Sequence, residues 1–121
     1  MAATPEASRL RQRLHVLGRE RDRLEESVLL APQRPLRGSL IGRHLGVGAD
    51  RRSSIAYYLC RREGTRLRQH HVTKSLVDRT REGVGAWKAY RAALSRWQDV
   101  GDEMAGLFLE LLASQEETFP P

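Results

Sequence analysis

Apolar residues along the first thirty positions recur at helical spacing. Leu10, Leu14, Leu17, Leu24 and Val28 are separated by 4, 3, 7 and 4 residues, and Arg21 stands at the one position the stripe skips. This is a heptad-like seam of the kind that packs one helix on another. Glu20, Asp22 and Glu25 alternate with Arg19, Arg21 and Arg23 on the remaining faces. Thr4-Pro5 predicts the start, with Thr4 as N-cap, Pro5 at the first helical position and Glu6 where the helix dipole favours an acid. Pro32 and Pro35 predict the end near Ala31, because the residue before a proline is pushed out of the helical region. Residues 1–32 are therefore expected to form an N-terminal helix.

The period changes over residues 33–72. Arg37 to Leu45 reads as a short strand, followed by a loop from Gly46 to Ser54. Ile55–Arg62 and Thr65–Val72 are rich in β-formers and flank Glu63-Gly64, which predicts a hairpin. With that turn Arg62 pairs with Thr65, and side chains alternate between two faces. One carries Ala56, Tyr58, Cys60, Leu67, Gln69 and His71 and is the expected core side. The other carries Tyr57, Leu59, Arg61, Arg66, Arg68 and His70, a cationic ribbon with an aromatic residue at one end. Arg61 and Arg66 stand directly opposed in this register, a repulsion that an anion between them would relieve.

Residues 73–114 return to helical spacing, with Thr73 as the expected N-cap. Val77, Thr80, Val84, Trp87, Tyr90, Leu94, Trp97, Gly101, Met104, Phe108 and Leu111 follow steps of three and four. Gly83, Gly85, Gly101 and Gly106 each weaken a helix by about 1 kcal/mol relative to alanine, so one long helix and two shorter ones both satisfy the pattern. The stripe needs a partner, either the first helix, a second subunit or both. Leu94, Trp97, Met104, Phe108 and Leu111 are the candidate partner or dimer contacts. Residues 115–121 form a tail.

Charge changes the picture from fold to function. Of 121 residues, 21 are Lys or Arg and 15 are Asp or Glu, a net +6. Residues 33–74 hold ten bases against Asp50 and Glu63, while residues 75–121 hold five bases against eight acids. The excess positive charge sits in the predicted sheet, and nearly all of it is arginine, whose planar fork suits phosphate. A basic patch with interleaved tyrosines is the electrostatic footprint of a nucleic-acid binder. Arg37, Arg43, Arg51, Arg52, Arg61, Arg66 and Arg68 are the expected phosphate contacts, with His70 beside them. Tyr57 or Tyr58 is positioned to stack on unpaired bases.

Other chemistries find little footing. Cys60 is the single cysteine, so neither an intrachain disulfide nor a cysteine-based zinc site is expected. His70 and His71 are neighbours on a strand and point to opposite faces, so they do not serve one ion. Ser39, Ser53 and Ser54 lack a partnered base and acid. No catalytic residue, metal or cofactor is expected. No apolar run approaches the roughly 20 residues of a membrane span and no leader pattern is present, so a cytoplasmic, nucleoid-associated protein without membrane contact is expected.

A resemblance follows from the order of these features. The leucine stripe, Pro35-Leu36-Arg37-Gly38-Ser39-Leu40-Ile41, Tyr57-Tyr58-Leu59 with the Gly64 turn, the basic strand, Leu76-Val77, and a long helix containing Trp87, Tyr90-Arg91 and Leu111-Leu112 span residues ~9–113. Together they resemble a family of small bacterial and archaeal proteins met beside transposase or recombinase genes on mobile elements. In that family the loop before the Tyr-Tyr strand carries a Cys-x4-Cys-x-Cys knuckle that would bind a metal. Here the stretch from Gly46 to Ser54 has no cysteine and carries Arg51 and Arg52, so no metal role carries over. The resemblance implies an accessory DNA-handling role.

The expected fold is α+β: an N-terminal helix, a small antiparallel hairpin or three-stranded sheet, and a long C-terminal helix, forming one domain with its helices packed as an antiparallel, coiled-coil-like hairpin. The expected function is non-catalytic binding of nucleic acid, DNA before RNA, in transposition or recombination. A homodimer, a recombinase or transposase, or another larger protein is expected on the helices. The alternative is a protein–protein adaptor, a regulatory subunit of a nucleic-acid enzyme that does not itself touch DNA.

Overall fold

The computed structural model describes residues 5–44 and 55–120. Helix α1 (Pro5–Leu24) continues into one π turn (Glu25–Leu29). Strands β1 (Ser39–His44), β2 (Ile55–Glu63) and β3 (Arg66–Val72) follow, then a 3-10 turn (Lys74–Leu76) and helix α2 (Val77–Ser114). The class is α+β. Two compact units are present: a helical unit of Met1–Ala31 with Arg91–Pro121, and a sheet unit of Pro32–Tyr90. The expected Thr4 cap and the loop with Arg51 and Arg52 lie outside the described residues. Among the described residues, no helix is long and apolar enough to cross a membrane.

In the helical unit α1 and the C-terminal part of α2 run antiparallel, as their polar pairs record. Arg11 donates to Gln115, Arg13 pairs with Glu103 at 2.9 Å, and Arg96 makes a two-pronged contact with Glu20 at 2.5 and 2.8 Å. Ala7, Leu14 and Leu17 of α1 and Ala93 and Val100 of α2 are buried, and Leu17 and Val100 are sealed from solvent. Sealing a leucine contributes about 1.5–3 kcal/mol of burial. Arg21, the polar residue in the stripe, lies 4.6 Å from the Trp97 ring centroid, so a cation on a π face fills the skipped position. Trp97 Nε1 donates to Glu25 at 2.9 Å. The α-helix stops at Leu24, earlier than proline placement suggested, because the backbone widens into the π turn, with the Leu30 N–H bonded to the Glu25 carbonyl at 2.8 Å.

Helix α2 is one continuous element of 38 residues through all four of its glycines. Among its buried and half-buried positions after Tyr90, Ala93, Trp97, Val100, Met104, Leu107 and Leu111 form a regular heptad alternation, with Leu94, Gly101 and Ser114 half-buried beside it. Phe108, expected on this seam, is 54% exposed instead. Leu107, Phe108 and Leu109 are all apolar, so the sequence tolerates either phase and contact with α1 selects one.

In the sheet unit the strand order is β1-β2-β3, antiparallel throughout. The hairpin turn is Gly64-Thr65 and Glu63 pairs with Arg66, one residue later than the expected Glu63-Gly64 turn. Gly64 has φ +65°, the conformation a two-residue turn requires of its first member and one that glutamate resists. The shift moves each partner by two residues, so face membership is kept while Arg61 faces Arg68 instead of Arg66.

Helix α2 lies on the face opposite the expected core side, although Ala56 and Cys60 of the expected side are buried as well. Leu40 and Tyr57 line a small cavity with Arg81, Val84, Gly85 and Lys88 of α2, and the Arg81 guanidinium lies 5.9 Å from the Tyr57 ring centroid. Leu40, Tyr57 and Leu59 share this face, while Ile41, Tyr58 and Leu67 lie on the other with Ala56 and Cys60, so apolar bulk alone does not choose between the faces. Ahead of β1 the chain crosses α2 closely: the Leu36 N–H donates to the Gly83 carbonyl at 2.8 Å. A Cβ at Gly83 would sit 2.8 Å from that of Leu36. Thr73 has the extended backbone of an N-cap, but its side chain makes no capping bond.

The two glycine environments predict opposite outcomes. Gly83→Ala lowers the thermal midpoint despite alanine's better helix propensity, because Leu36 must move. Gly106→Ala, with nothing within 4 Å, raises stability by about 0.5–1 kcal/mol. Denaturant unfolding followed by circular dichroism checks both.

Candidate nucleic-acid interface

Strand β2 sits between β1 and β3, so its alternate residues divide the arginines of the unit between two environments. On the Tyr57 face the carboxylate of Glu63 gathers the cations. His70 Nε2 lies 2.7 Å from it, Arg61 Nε 3.0 Å and Arg68 Nε 3.7 Å. The hydrogen bond from His70, and after it that from Arg61, hold the Glu63 carboxyl below its usual range. The anion expected between opposed arginines is thus supplied by the chain itself, and a phosphate reaching Arg61, Arg68 or His70 must displace it. Tyr57, one of the two tyrosines expected to stack, is half-buried with the Arg81 guanidinium over its ring.

Most of the described residues on the opposite face are exposed, with Ala56 buried and Tyr58 half-buried at the central strand. Ile41, Tyr58 and His71 form one row across the three strands, and Ser39, Cys60 and Gln69 form the next. Ile41, Arg43, Arg62, Leu67, Gln69 and His71 are exposed. The Arg43 guanidinium lies 5.6 Å from the Tyr58 ring centroid, and the His71 ring meets Tyr58 edge-on at 5.6 Å and 74°. Cys60 is buried. No described residue on this face is acidic.

The expected contacts therefore separate. Arg37 donates to the Arg62 carbonyl at 2.7 Å and braces the strand start. Arg43 lies on the open face. Arg61, Arg68 and His70 converge on Glu63, Arg66 is exposed at the hairpin end opposite Glu63, and Arg51 and Arg52 lie outside the described residues. Sequence reasoning assigned no role to Arg62 or Glu63. A turn residue belongs to no face; extending β2 by one position puts Glu63 in line with Arg61. His70 and His71 do point to opposite faces, one to Glu63 and the other to Tyr58. Among the described residues no group of three or more His, Cys, Asp or Glu side chains comes together at metal distance.

Of the expected partner contacts in the helical unit, Leu94, Trp97, Met104 and Leu111 are half-buried. Trp97 engages α1 through Arg21 and Glu25, and Met104 packs near Gly18. Phe108 is exposed together with Leu109 and Leu112. Charge differs sharply between the units. The sheet unit holds thirteen Lys and Arg against four acids, a net +9, and the helical unit holds eight against eleven, a net −3.

Glu63, with its pKa depressed in the folded state, stabilises the hairpin above the ordinary glutamate pKa of about 4.3. That contribution is lost as pH falls through the folded value. The difference in thermal midpoint between wild type and Glu63→Gln is expected at pH 7 and shrinks as pH falls through the folded-state value of Glu63; comparing the two proteins cancels the parallel titration of Glu20, which Arg96 depresses in the same way. A difference that persists in acid rules out the cluster. Comparison of the chain with protein-family models, curated proteins and solved structures finds no match.

Proposed function

We propose that this chain is a non-catalytic nucleic-acid-binding accessory protein that holds its ligand with the sheet unit and meets protein partners with the helical unit. The observation that carries the reading is the charge separation, +9 against −3, along a structural boundary. An excess of that size in 59 residues attracts phosphate backbones through counterion release. The arginines available to them are Arg43, Arg62 and Arg66, which are exposed, rather than the cluster held by Glu63. DNA in the nucleoid of the cytoplasm is the favoured ligand, and the resemblance to proteins encoded beside transposases supports a place in transposition or recombination.

Binding of labelled DNA across a salt series tests this. Arg43→Gln with Arg62→Gln reduces the steepness of log affinity against log salt by about 1.4–1.8, at roughly 0.7–0.9 per phosphate contact. Arg9→Gln with Arg23→Gln in α1 leaves the slope unchanged. Salt-insensitive binding, or equal effects from both pairs, overturns the proposal.

A second copy is the favoured partner of the helical unit. Phe108, Leu109 and Leu112, exposed at 54, 68 and 67%, continue the stripe of Leu94, Gly101 and Ala105 beside the seam already filled by α1, and a contiguous apolar patch of this kind marks an association surface. Light scattering is expected to give twice the chain mass for wild type and the single mass for Phe108→Glu with Leu112→Glu. Circular dichroism should be unchanged, because Leu107 and Leu111 retain the packing on α1. A monomeric wild type removes the dimer from the reading.

A further inference from the structure

We propose that the open face of the sheet is a stacking platform for unpaired bases, with Tyr58 as the stacking residue and Arg43 and Arg62 as phosphate contacts at its two ends. This rests on the nucleic-acid reading above and narrows its ligand to single-stranded nucleic acid.

Tyr58 lies on the central strand, between Ile41 and His71. His71 meets its ring edge-on, which holds the ring orientation, while Arg43 is kept beside it by the cation–π contact. One row along, Ser39 and Gln69 flank Cys60, offering a hydroxyl and an amide at the height of base edges. Exposed Ile41 and Leu67 supply apolar ground that bases cover. Arg43 pairs with Ala56 in register, and from there to Arg62 the strand rises about 20 Å at roughly 3.3 Å per residue. That length suits the roughly two or three bases that a sheet face stacks.

Duplex DNA fits this surface poorly. Its bases show only their edges, in a major groove about 12 Å wide, and three strands already measure about 10 Å between outer backbones before side chains are added. The same sheet has α2 on its other side, so it cannot enter as a thin ribbon. The other face is excluded on its own account, since its Arg61 and Arg68 are held by Glu63. Both tyrosines are half-buried with an arginine over the ring, so a base that stacks on Tyr58 displaces Arg43 toward the phosphate. Among the described residues the Tyr58 face combines aromatic, apolar and cationic groups with no acid, which complements a flexible polyanion that carries exposed rings.

Fluorescence anisotropy of the full chain with labelled oligo(dT), oligo(rU) and a duplex of equal length tests the proposal. Either oligonucleotide is expected to bind at least about tenfold more tightly than the duplex at the same salt. Tyr58→Leu is expected to weaken oligonucleotide binding about tenfold, the loss of one stacked base, with the salt slope and duplex affinity unchanged; Tyr58→Phe keeps wild-type affinity. Duplex bound as tightly as single strand overturns the platform, and so does an indifferent, folded Tyr58→Leu. Should that variant unfold, the wild-type preference still decides. Absence of binding to all three probes defeats the underlying nucleic-acid reading instead.

Discussion

Side chains alternate across a strand, so seating Leu40 and Tyr57 beside α2 commits every second residue of the sheet to the opposite side. The rest of the sheet unit depends on that constraint. It turns Arg43, Tyr58, Arg62 and His71 outward together, and it leaves Arg61, Arg68 and His70 on the side where Glu63 also lies. Two populations of arginine result within one basic segment, one with an internal counter-ion and one with none among the described residues. Net charge alone does not distinguish them, although their readiness to meet a phosphate differs.

The close crossing at Gly83 serves the same constraint from the other end. The backbone hydrogen bond from Leu36 to Gly83 places the chain leading into β1 directly on α2, and glycine is required because any Cβ would collide there. Gly38, with φ +140° and the Cys60 carbonyl 2.8 Å from where a Cβ would stand, then allows β1 to start against β2. In the helical unit a different rule governs. α1 and α2 share a heptad seam, and polar pairs such as Arg96 with Glu20 flank it. Exposed ion pairs contribute little to stability, so their role is to favour one alignment of the helices over others.

Much of this was legible in the residues themselves. The leucine stripe of α1, the strand–hairpin–helix order, the opposition of His70 and His71, and the basic centre all follow from local periodicity and composition, which need no knowledge of distant contacts. Four features did not. The turn lies at Gly64-Thr65 because backbone φ, not residue spacing, selects its first member. Contact with α1 chose Leu107 over Phe108, since three consecutive apolar residues fit either phase. Glu63 became the counter-ion of Arg61, Arg68 and His70 only once β2 extended to include it. The sequence by itself determined which residues share a face of the sheet, because that is a matter of parity. Which face α2 covers, and therefore which tyrosine and which arginines point away from it, was decided by tertiary packing, because it depends on where a helix that follows the sheet in the chain comes to rest.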